Sequence, residues 1–274
     1  MGAKNQTMNN IVANFNQILE FGYGYGLPLT KKKGILREYL QTKILELISQ
    51  EKASLDFFFV GGTALRLLYG LDRFSEDLDF DFVNLEQTRL LRLMQKLQKR
   101  LQNENIEVNL YQNLKPRRFY FELRFHNLLF ELRLSQQKEE KLTIKFDFES
   151  FWQGQKRKVI LLDRYGFLAN ITTIPLDQIL VQKLFAYTQR QQTLPRDLYD
   201  IVWLYSQKAK IDQNFSEANQ LPADLITQAK KQSRQDLKQL KNLKEKLKPF
   251  LVNEKNTAKL DLFPQVLDKL KSKA

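Results

Sequence analysis

The chain has no cysteine and only one histidine among its 274 residues. The lack of cysteine excludes disulfides, thiolate zinc sites and cysteine nucleophiles. The single histidine, His126, excludes metal centres built from several imidazoles, and its place in the strand-like run RRFYFELRFHNLLFELRL makes it a poor candidate for a catalytic base. Any bound metal is therefore expected to be a hard cation held by carboxylates, either Mg²⁺ or Mn²⁺.

Long apolar runs are also missing. No segment is long enough to span a bilayer, and the sequence does not start with a basic stretch followed by an apolar stretch and a small-residue cleavage site. We therefore expect a soluble cytoplasmic protein that makes no contact with a membrane. The length allows one large domain or two modest ones.

Positive charge is abundant and unevenly distributed. The formal net charge is +13, and the stretch from Gln228 to Ala274 contains 13 lysines or arginines against 5 acids. Smaller basic clusters occur in RLLRLMQKLQKR, KPRR and QKRK. Such a surface favours polyanions, above all nucleic acid. The alternative is an ordinary solvated helix face, because lysine-rich helices are common in soluble proteins.

The first half of the chain reads as alternating strands and helices. DFFFV is a short buried strand that ends at Gly61 and Gly62, TALRLLYG is a helix that ends at Gly70, and DLDFDF alternates as a strand. LEQTRLLRLMQKLQKRLQ is an amphipathic helix. Four further runs, IEVNLY, RRFYFELRF, LLFELRL and LTIKFDF, are strand-like. This order predicts a mixed sheet flanked by helices.

The chain becomes helical after Pro175. LDQILVQKLFAYTQR and RDLYDIVWLYSQ are predicted helices, followed by a long lysine-rich helical stretch to about Lys248 and a last helix near QVLDKLKSK. The predicted fold class is therefore α/β (α+β), with a catalytic lobe over residues 1–170 and a basic helical lobe over residues 171–274.

Acidic side chains are concentrated on the second predicted strand. Residues two apart on a strand project to the same face, so Asp77, Asp79 and Asp81 form one row opposite Leu78, Phe80 and Phe82. Neighbouring carboxylates repel each other, and a divalent cation removes that penalty. Asp147, in TIKFDFES, is the candidate third ligand from another strand. The alternative is that the acids form the solvent side of a half-exposed sheet, and this is the interpretation favoured for Asp81.

Two glycines precede this acidic row. A strand that runs into Gly61-Gly62-Thr63 and then a helix presents free backbone N–H groups that suit a phosphate. A Gly-Gly pair alone is more often only a turn. Followed by the acidic strand, it indicates a site for a nucleoside triphosphate, with glycines for the phosphates and acids for the metal.

The segment GGTALRLLYGLDRFSEDLDFDF resembles the signature of the AbiEii-type nucleotidyltransferase toxins, which include the MenT-like toxins of bacterial abortive-infection and toxin–antitoxin systems. These belong to the DNA polymerase beta-like nucleotidyltransferase superfamily. Val60-Gly61-Gly62 is followed by 14 residues and then Asp77-Leu78-Asp79, a slightly long gap, and the R-x-S-x-D-L-D pattern is matched from Arg73 to Asp79. PLDQILVQKLFAYTQRQQTLPRDLYDIVWL resembles the later motifs, a lysine on a helix followed by Arg-Asp-x-x-Asp. The resemblance extends over residues 33–204.

This resemblance implies transfer of a nucleoside monophosphate from an NTP to an RNA acceptor, with the tRNA 3′ end expected and pyrophosphate released. It assigns catalytic roles to Asp77, Asp79, Asp147, Lys183 and Asp200, of which Asp77, Asp79 and Asp147 would hold the metal. The nucleotide would be bound by Gly61, Gly62, Thr63, Arg66, Arg73, Ser75, Lys183, Arg196 and Asp197.

The resemblance also implies a cognate antitoxin as a protein partner. Two alternatives stay open. The acceptor could be a protein or a small molecule, although the basic C-terminal stretch favours RNA. The chain could also be a non-catalytic RNA-binding module on the same scaffold. Asp197 and Arg196 could simply begin a helix, since an acid in the first turn suits the helix dipole.

Overall fold

The structure, a computed structural model, describes residues 9–83 and 86–270. The chain divides into two compact units, each made of several segments. The first contains the residues up to Phe59, Glu76–Phe151 and Val159–Thr172, and the second contains Val60–Ser75, Trp152–Lys158 and the residues from Thr173 onward. The last change of unit falls at Thr173. The two shorter segments of the second unit were not anticipated, because each interrupts sequence that belongs to the first.

The first unit contains a five-stranded sheet with the order β1-β2-β5-β4-β3. Strands β2 and β5 are parallel, and β4 is antiparallel to both β5 and β3. The strands are β1 (Phe57–Val60), β2 (Asp77–Phe82), β3 (Val108–Lys115), β4 (Arg118–Phe125) and β5 (Leu142–Glu149). The helices of this part are α1 (Asn10–Ala13), α2 (Phe15–Gly24), α3 (Lys32–Ser49), α5 (Gln87–Asn103) and α6 (Leu128–Glu131), and α4 (Gly61–Tyr69) belongs to the second unit.

The two faces of this sheet differ in character. Leu78, Phe80 and Phe82 of β2 are all buried, as the alternation predicts, and Phe80 stacks on Phe148 of β5 with ring centroids 4.6 Å apart. The opposite face carries the acids of β2 and polar side chains of its neighbours. Because residues directly opposite each other in paired strands point to the same face, the polar residues of β2, β5, β4 and β3 share one surface.

Two parts of the first unit differ from the expectation. LLFELRL was predicted as a strand, but its first four residues form α6. Asn127 adopts a left-handed backbone conformation (φ 56°) and ends the extended chain, and adjacent Leu128 and Leu129 are both buried, which a strand with one exposed face does not allow. A hairpin of β6 (Lys158–Arg164) and β7 (Phe167–Thr173) was not predicted at all.

The second unit is built largely from helices. They are α7 (Leu176–Gln189), α8 (Pro195–Ser206), α9 (Gln213–Ala218), α10 (Leu225–Asp236), α11 (Leu240–Leu247) and α12 (Phe263–Lys269), with 3₁₀ segments at Leu237–Gln239, Lys248–Phe250 and Glu254–Leu262. The predicted lysine-rich helix is thus broken into α10 and α11, and α11 ends at Leu247, two residues before Pro249, which has no N–H to donate to an α-helical hydrogen bond. Gly70 ends α4 in a left-handed conformation (φ 84°), as predicted. Within the described residues, no helix is long and apolar enough to cross a membrane.

Candidate active site

The acidic row lies on the polar face of the five-stranded sheet. Asp77 and Asp79 project from β2 and are partly exposed. Asp79 is directly opposite Asp147 of the parallel strand β5, so their side chains lie on the same face one strand apart. Asp81 is also on this face but is only 4% exposed. It therefore does not belong to the solvent side of the sheet, which was the interpretation favoured for it.

Asp147 is engaged by an arginine of the neighbouring strand. Arg118 begins β4, and its Nε lies 2.9 Å from Asp147 Oδ1 while its Nη2 contacts Oδ2. The same Nε is 3.3 Å from Glu149 Oε1. From the sequence, Arg118 was noted only as part of the basic cluster KPRR, because nothing in the sequence shows which strand lies beside Asp147.

The donor set suits a hard cation only in part. Asp77 and Asp79 offer carboxylate oxygens from one strand, the donors that Mg²⁺ and Mn²⁺ prefer. Both oxygens of Asp147 face Arg118, and among the described residues no group of three acidic or histidine side chains is arranged to hold a metal ion. Asp77 and Asp79 therefore fit a metal ion as a pair, whereas Asp147 is paired with Arg118.

A buried ion network occupies the second unit. Arg73 donates from Nε and Nη2 to the two carboxylate oxygens of Asp200, both at 2.7 Å, and from Nη1 to the carbonyl of Phe74. Lys183 Nζ is 2.9 Å from Asp200 and 3.3 Å from Asp197. The side chain of Asp200 is 0% exposed, that of Arg73 is 2% exposed and that of Lys183 is 15% exposed.

The charges in this network stabilise one another. Burial alone would raise the pKa of Asp200, but the charges of Arg73 and Lys183 hold it below its ordinary value of 3.8. Burial alone would likewise lower the pKa of Lys183, but Asp200 and Asp197 raise it above the ordinary lysine value. Asp200 and Lys183 therefore both carry their charge at neutral pH. Four buried or nearly buried charges can coexist only because each has an opposite partner.

The network sits against the start of α4. Gly61 begins this helix with φ 73°, a conformation that favours glycine. A Cβ on Gly62 would lie 2.6 Å from Nη2 of Arg73 and 2.8 Å from Oγ of Ser75. This position therefore requires glycine, because two motif side chains, Arg73 and Ser75, pack directly on its backbone. From the sequence, Gly62 was expected to end the strand and to contribute to phosphate binding, and the structure adds this packing requirement.

We expect Gly62→Ala to lower the free energy of unfolding by about 1–3 kcal/mol, the usual cost of overpacking. Helix propensity alone would give the opposite sign, since alanine is better than glycine in a helix by about 1 kcal/mol. The added methyl must push away a guanidinium fixed by its ion pair with Asp200. Urea denaturation followed by circular dichroism measures the change.

Gly24→Ala is the matched control for this prediction. Gly24 lies at the end of α2, and a Cβ added there meets nothing within 4 Å. We expect this variant to be as stable as wild type or slightly more stable. A Gly62→Ala protein that unfolds at the same urea concentration as the Gly24→Ala protein would contradict the packing argument.

A second contact set holds the loop before β2. Asp72 accepts hydrogen bonds from Tyr199 Oη (2.8 Å), Asn256 Nδ2 (2.7 Å) and Lys259 Nζ (2.7 Å). The backbone N–H of Phe74 donates to the carbonyl of Phe250 at 2.7 Å. The loop that carries Arg73 and Ser75 is thus fixed by residues from the far end of the chain. Sequence reasoning missed Asp72, and its only signal was a carboxylate directly beside the motif arginine.

The residues predicted to bind nucleotide fall into two groups. Gly61, Ser75, Lys183 and Arg196 are partly exposed, and Arg196 stacks on Phe250 with its guanidinium carbon 4.6 Å from the ring centre. The others are buried, namely Gly62, Thr63, Arg66, Arg73 and Asp197.

Three buried residues differ most from their predicted roles. Arg66 donates from Nη1 to the carbonyl of Leu71 at 2.9 Å, and Arg73 is committed to Asp200. Neither guanidinium is available to a phosphate in this arrangement. Asp200 was predicted to be catalytic, but its carboxylate is enclosed by two cations, so it fits the positioning of Arg73 and Lys183 better than contact with a substrate.

Solved structures of other proteins share the fold of this chain. MenT4, a nucleotidyltransferase toxin from Mycobacterium tuberculosis H37Rv, has a similar structure with a TM-score of 0.53, 14% identity, and coverage of 94% of this chain and 90% of that one. JHP933 from Helicobacter pylori matches with a TM-score of 0.51 and 20% identity, over 86% of this chain and 92% of that one. The fold is thus that of the nucleotidyltransferases. A search of curated protein sequences gives no significant match.

The sequence itself matches a family model. The model describes the nucleotidyl transferase AbiEii toxin of type IV toxin–antitoxin systems, and it matches residues 43–269. This match covers most of the chain, including the acidic row and the ion network. The chain belongs to the AbiEii nucleotidyltransferase toxin family, which confirms the resemblance found in the motif residues and makes the protein a nucleotidyltransferase toxin.

Proposed function

We propose that this protein transfers a nucleoside monophosphate from an NTP to the 3′ end of an RNA, most specifically a tRNA, and releases pyrophosphate. The observation that carries the proposal is the acidic row, in which Asp77 and Asp79 share one face with Asp147 directly opposite Asp79. This row stands in a chain whose net charge is +13. Transfer to RNA needs carboxylates that bind a divalent cation and a basic surface that binds the polyanionic acceptor.

Asp77 and Asp79 would hold Mg²⁺ or Mn²⁺ through their carboxylate oxygens, and Asp147 would join them. When bound, such an ion would supply positive charge that offsets the negative charge developing during phosphoryl transfer. The protein's own contribution is to place these carboxylates on one face of a packed sheet. Asp147, once released by Arg118, can also accept the proton of the acceptor hydroxyl.

The nucleotide phosphates have candidate partners in the second unit. The start of α4 presents backbone N–H groups at Gly61 and Gly62, and Ser75 Oγ lies beside Gly62. Lys183 is the cation of the ion network with the larger exposed fraction, 15% against 2% for Arg73. It suits a point charge on the triphosphate, while Asp197 and Asp200 fix its position. Arg196 remains a candidate at the start of α8.

The RNA acceptor has support from the charge of the second unit. Lysines and arginines of α10, α11 and the 3₁₀ segment between them are exposed, namely Lys231, Arg234, Lys238, Lys241 and Lys246. Leu225 of α10 and Leu243 and Leu247 of α11 are buried. Phosphate contacts by such side chains supply most of the sequence-independent affinity for nucleic acid. We further propose a cytoplasmic location and a cognate antitoxin as partner, both in keeping with the toxin–antitoxin family.

The acceptor class is tested by labelling a cell extract. Purified protein, Mg²⁺ and each of the four NTPs carrying an α-phosphate label are incubated separately with total RNA, with total protein and with small molecules of the same extract. We expect label in RNA of tRNA size that disappears on ribonuclease treatment. Label that resists ribonuclease and disappears with protease would contradict the RNA acceptor and favour transfer to a protein.

A further inference from the structure

A shallow depression lies on the polar face of the β3–β4 hairpin. It has a volume of about 260 Å³ and is lined by Asn113, Lys115, Arg118 and Tyr120. Asn113 pairs with Tyr120 and Lys115 pairs with Arg118 across the hairpin, so the four side chains form two neighbouring rows. In the next strand, Tyr120 is opposite Asp147. The depression is therefore on the same face as the acidic row, and it begins one strand, about 5 Å, away from it.

The chemistry of the depression suits an anion of limited size. A guanidinium, an ammonium, an amide and a phenol ring line it, and the phenol hydroxyl of Tyr120 donates to Glu122. Lys115 is exposed and forms no ion pair with the described residues. Arginine and lysine are the usual ligands of phosphate groups. The volume is below the range of about 300–1,000 Å³ that encloses a complete small ligand. A single phosphodiester group of a longer strand fits these limits better than a whole nucleotide.

Arg118 belongs to the depression and to the acidic row at once. Its side chain is 55% exposed, whereas that of Asp147 is 19% exposed. An ion pair with so exposed a partner contributes little to stability, so the guanidinium can exchange partners at low cost. While it is bidentate to Asp147, it occupies both oxygens that a divalent cation would need. A guanidinium and a metal ion therefore compete for the same carboxylate.

We propose that the depression binds a phosphodiester group of the acceptor RNA, and that this phosphate draws the guanidinium of Arg118 away from Asp147. The third carboxylate then becomes available for the metal only when an acceptor strand is in place. This inference rests on the proposed function, since it names the acceptor subsite of that reaction. By thermodynamic linkage, whatever removes Arg118 from Asp147 must favour the metal-bound state.

Two binding measurements without NTP test the exchange. Calorimetric titration of the full-length protein with Mn²⁺ in the absence of RNA gives the metal affinity. Fluorescence anisotropy of a labelled single-stranded RNA oligonucleotide in EDTA gives the RNA affinity. We expect Arg118→Gln to bind Mn²⁺ at least about 5-fold more tightly and RNA about 5- to 10-fold more weakly, with the slope of log K against log salt smaller by about 1.

Two further variants separate charge from geometry. Arg118→Lys keeps the charge but not the bidentate fork, so it should bind Mn²⁺ more tightly than wild type while keeping most of the RNA affinity. Arg117→Gln changes the net charge equally at an adjacent exposed position outside the depression, so its Mn²⁺ affinity should equal that of wild type. Thermal unfolding of each variant verifies that it is folded.

Each outcome has a distinct meaning. Arg118→Gln with wild-type affinity for Mn²⁺, or with unchanged affinity for RNA, would overturn the inference. Equal changes in Mn²⁺ affinity for Arg117→Gln and Arg118→Gln would overturn the inference as well, because the change in net charge alone would then explain the effect. If Asp79→Asn leaves the Mn²⁺ affinity of the protein unchanged, the metal role in the proposed function fails, whatever Arg118 does.

Discussion

Asp79→Asn is expected to lower nucleotide incorporation by about 100- to 1000-fold, the range seen when one charge-stabilising group of an active site is removed. Asp79 is partly exposed and lies directly opposite Asp147, at the centre of the acidic row. Asparagine keeps the shape of the side chain but loses the negative charge that a divalent cation requires. Asp77→Asn should behave in the same way. Incorporation of an α-labelled NTP into RNA measures the loss.

The free energy of unfolding of this variant should stay within about 0.5 kcal/mol of wild type, as for most changes at partly exposed positions. Losing one carboxylate also relieves the repulsion between neighbouring acids on the strand, so no large loss is expected. Asp163→Asn is the matched control, an exposed aspartate on β6 that is not part of the acidic row. It should leave incorporation unchanged. An Asp79→Asn protein with wild-type incorporation would remove the acidic row from the chemistry.

Asp200→Asn should instead act mainly on stability, with an expected loss of about 3–5 kcal/mol in the free energy of unfolding. Its carboxylate is completely buried and balances Arg73 and Lys183 at 2.7 Å and 2.9 Å. Without it, a buried guanidinium has lost its charge partner while the burial cost remains. Urea denaturation of wild type and variant at neutral pH measures the difference.

The pH dependence gives this prediction a second readout. The pKa of Asp200 is lowered in the folded state, so its stabilising effect is complete above the ordinary carboxyl pKa of 3.8 and is lost as the pH falls through the lowered value. The stability difference between wild type and Asp200→Asn should therefore stay constant from neutral pH to about pH 4 and shrink only in stronger acid.

Asp268→Asn is the control for Asp200→Asn, since it makes the same charge change. Asp268 pairs with Lys230, but its side chain is 72% exposed, and exposed pairs contribute about 0–1 kcal/mol. A loss for Asp200→Asn that is no larger than the loss for Asp268→Asn would show that the buried network is not a stabilising unit.

Much of the sheet could be predicted because its sequence pattern and its burial agree. DLDFDF alternates strictly between acids and large apolar side chains, and β2 begins and ends at the predicted residues. The hairpin of β6 and β7 could not be found in this way. Val159, Leu161 and Leu168 on its outer face are all more than half exposed, so no polar and apolar alternation marks the strands. Its turn at Tyr165-Gly166 uses two positive φ angles, and tyrosine is not a usual turn residue.

The candidate site could be predicted by residue type but not by arrangement. The motif spacing selected Arg73, Lys183 and Asp200, and the structure brings all three together. Arg73 and Asp200 are 127 residues apart in the chain, and no local pattern shows that they form a buried pair. The same limit hid Arg118, because its partner Asp147 is fixed by the pairing of β4 with β5. Burial and strand neighbours decide which motif residues contact a substrate, and both arise from tertiary packing.

The most direct test of the central claim compares two labels in one reaction. Wild-type protein is incubated with Mg²⁺, RNA and an NTP labelled either at the α-phosphate or at the γ-phosphate. Nucleotidyl transfer predicts that the α label enters RNA and that the γ label is released as pyrophosphate. With the Asp79→Asn protein, both label transfers should be strongly reduced. The contrary result is a protein that binds RNA but transfers no α label to RNA, protein or small molecules from any of the four NTPs. This result would contradict nucleotidyl transfer and favour a non-catalytic RNA-binding module.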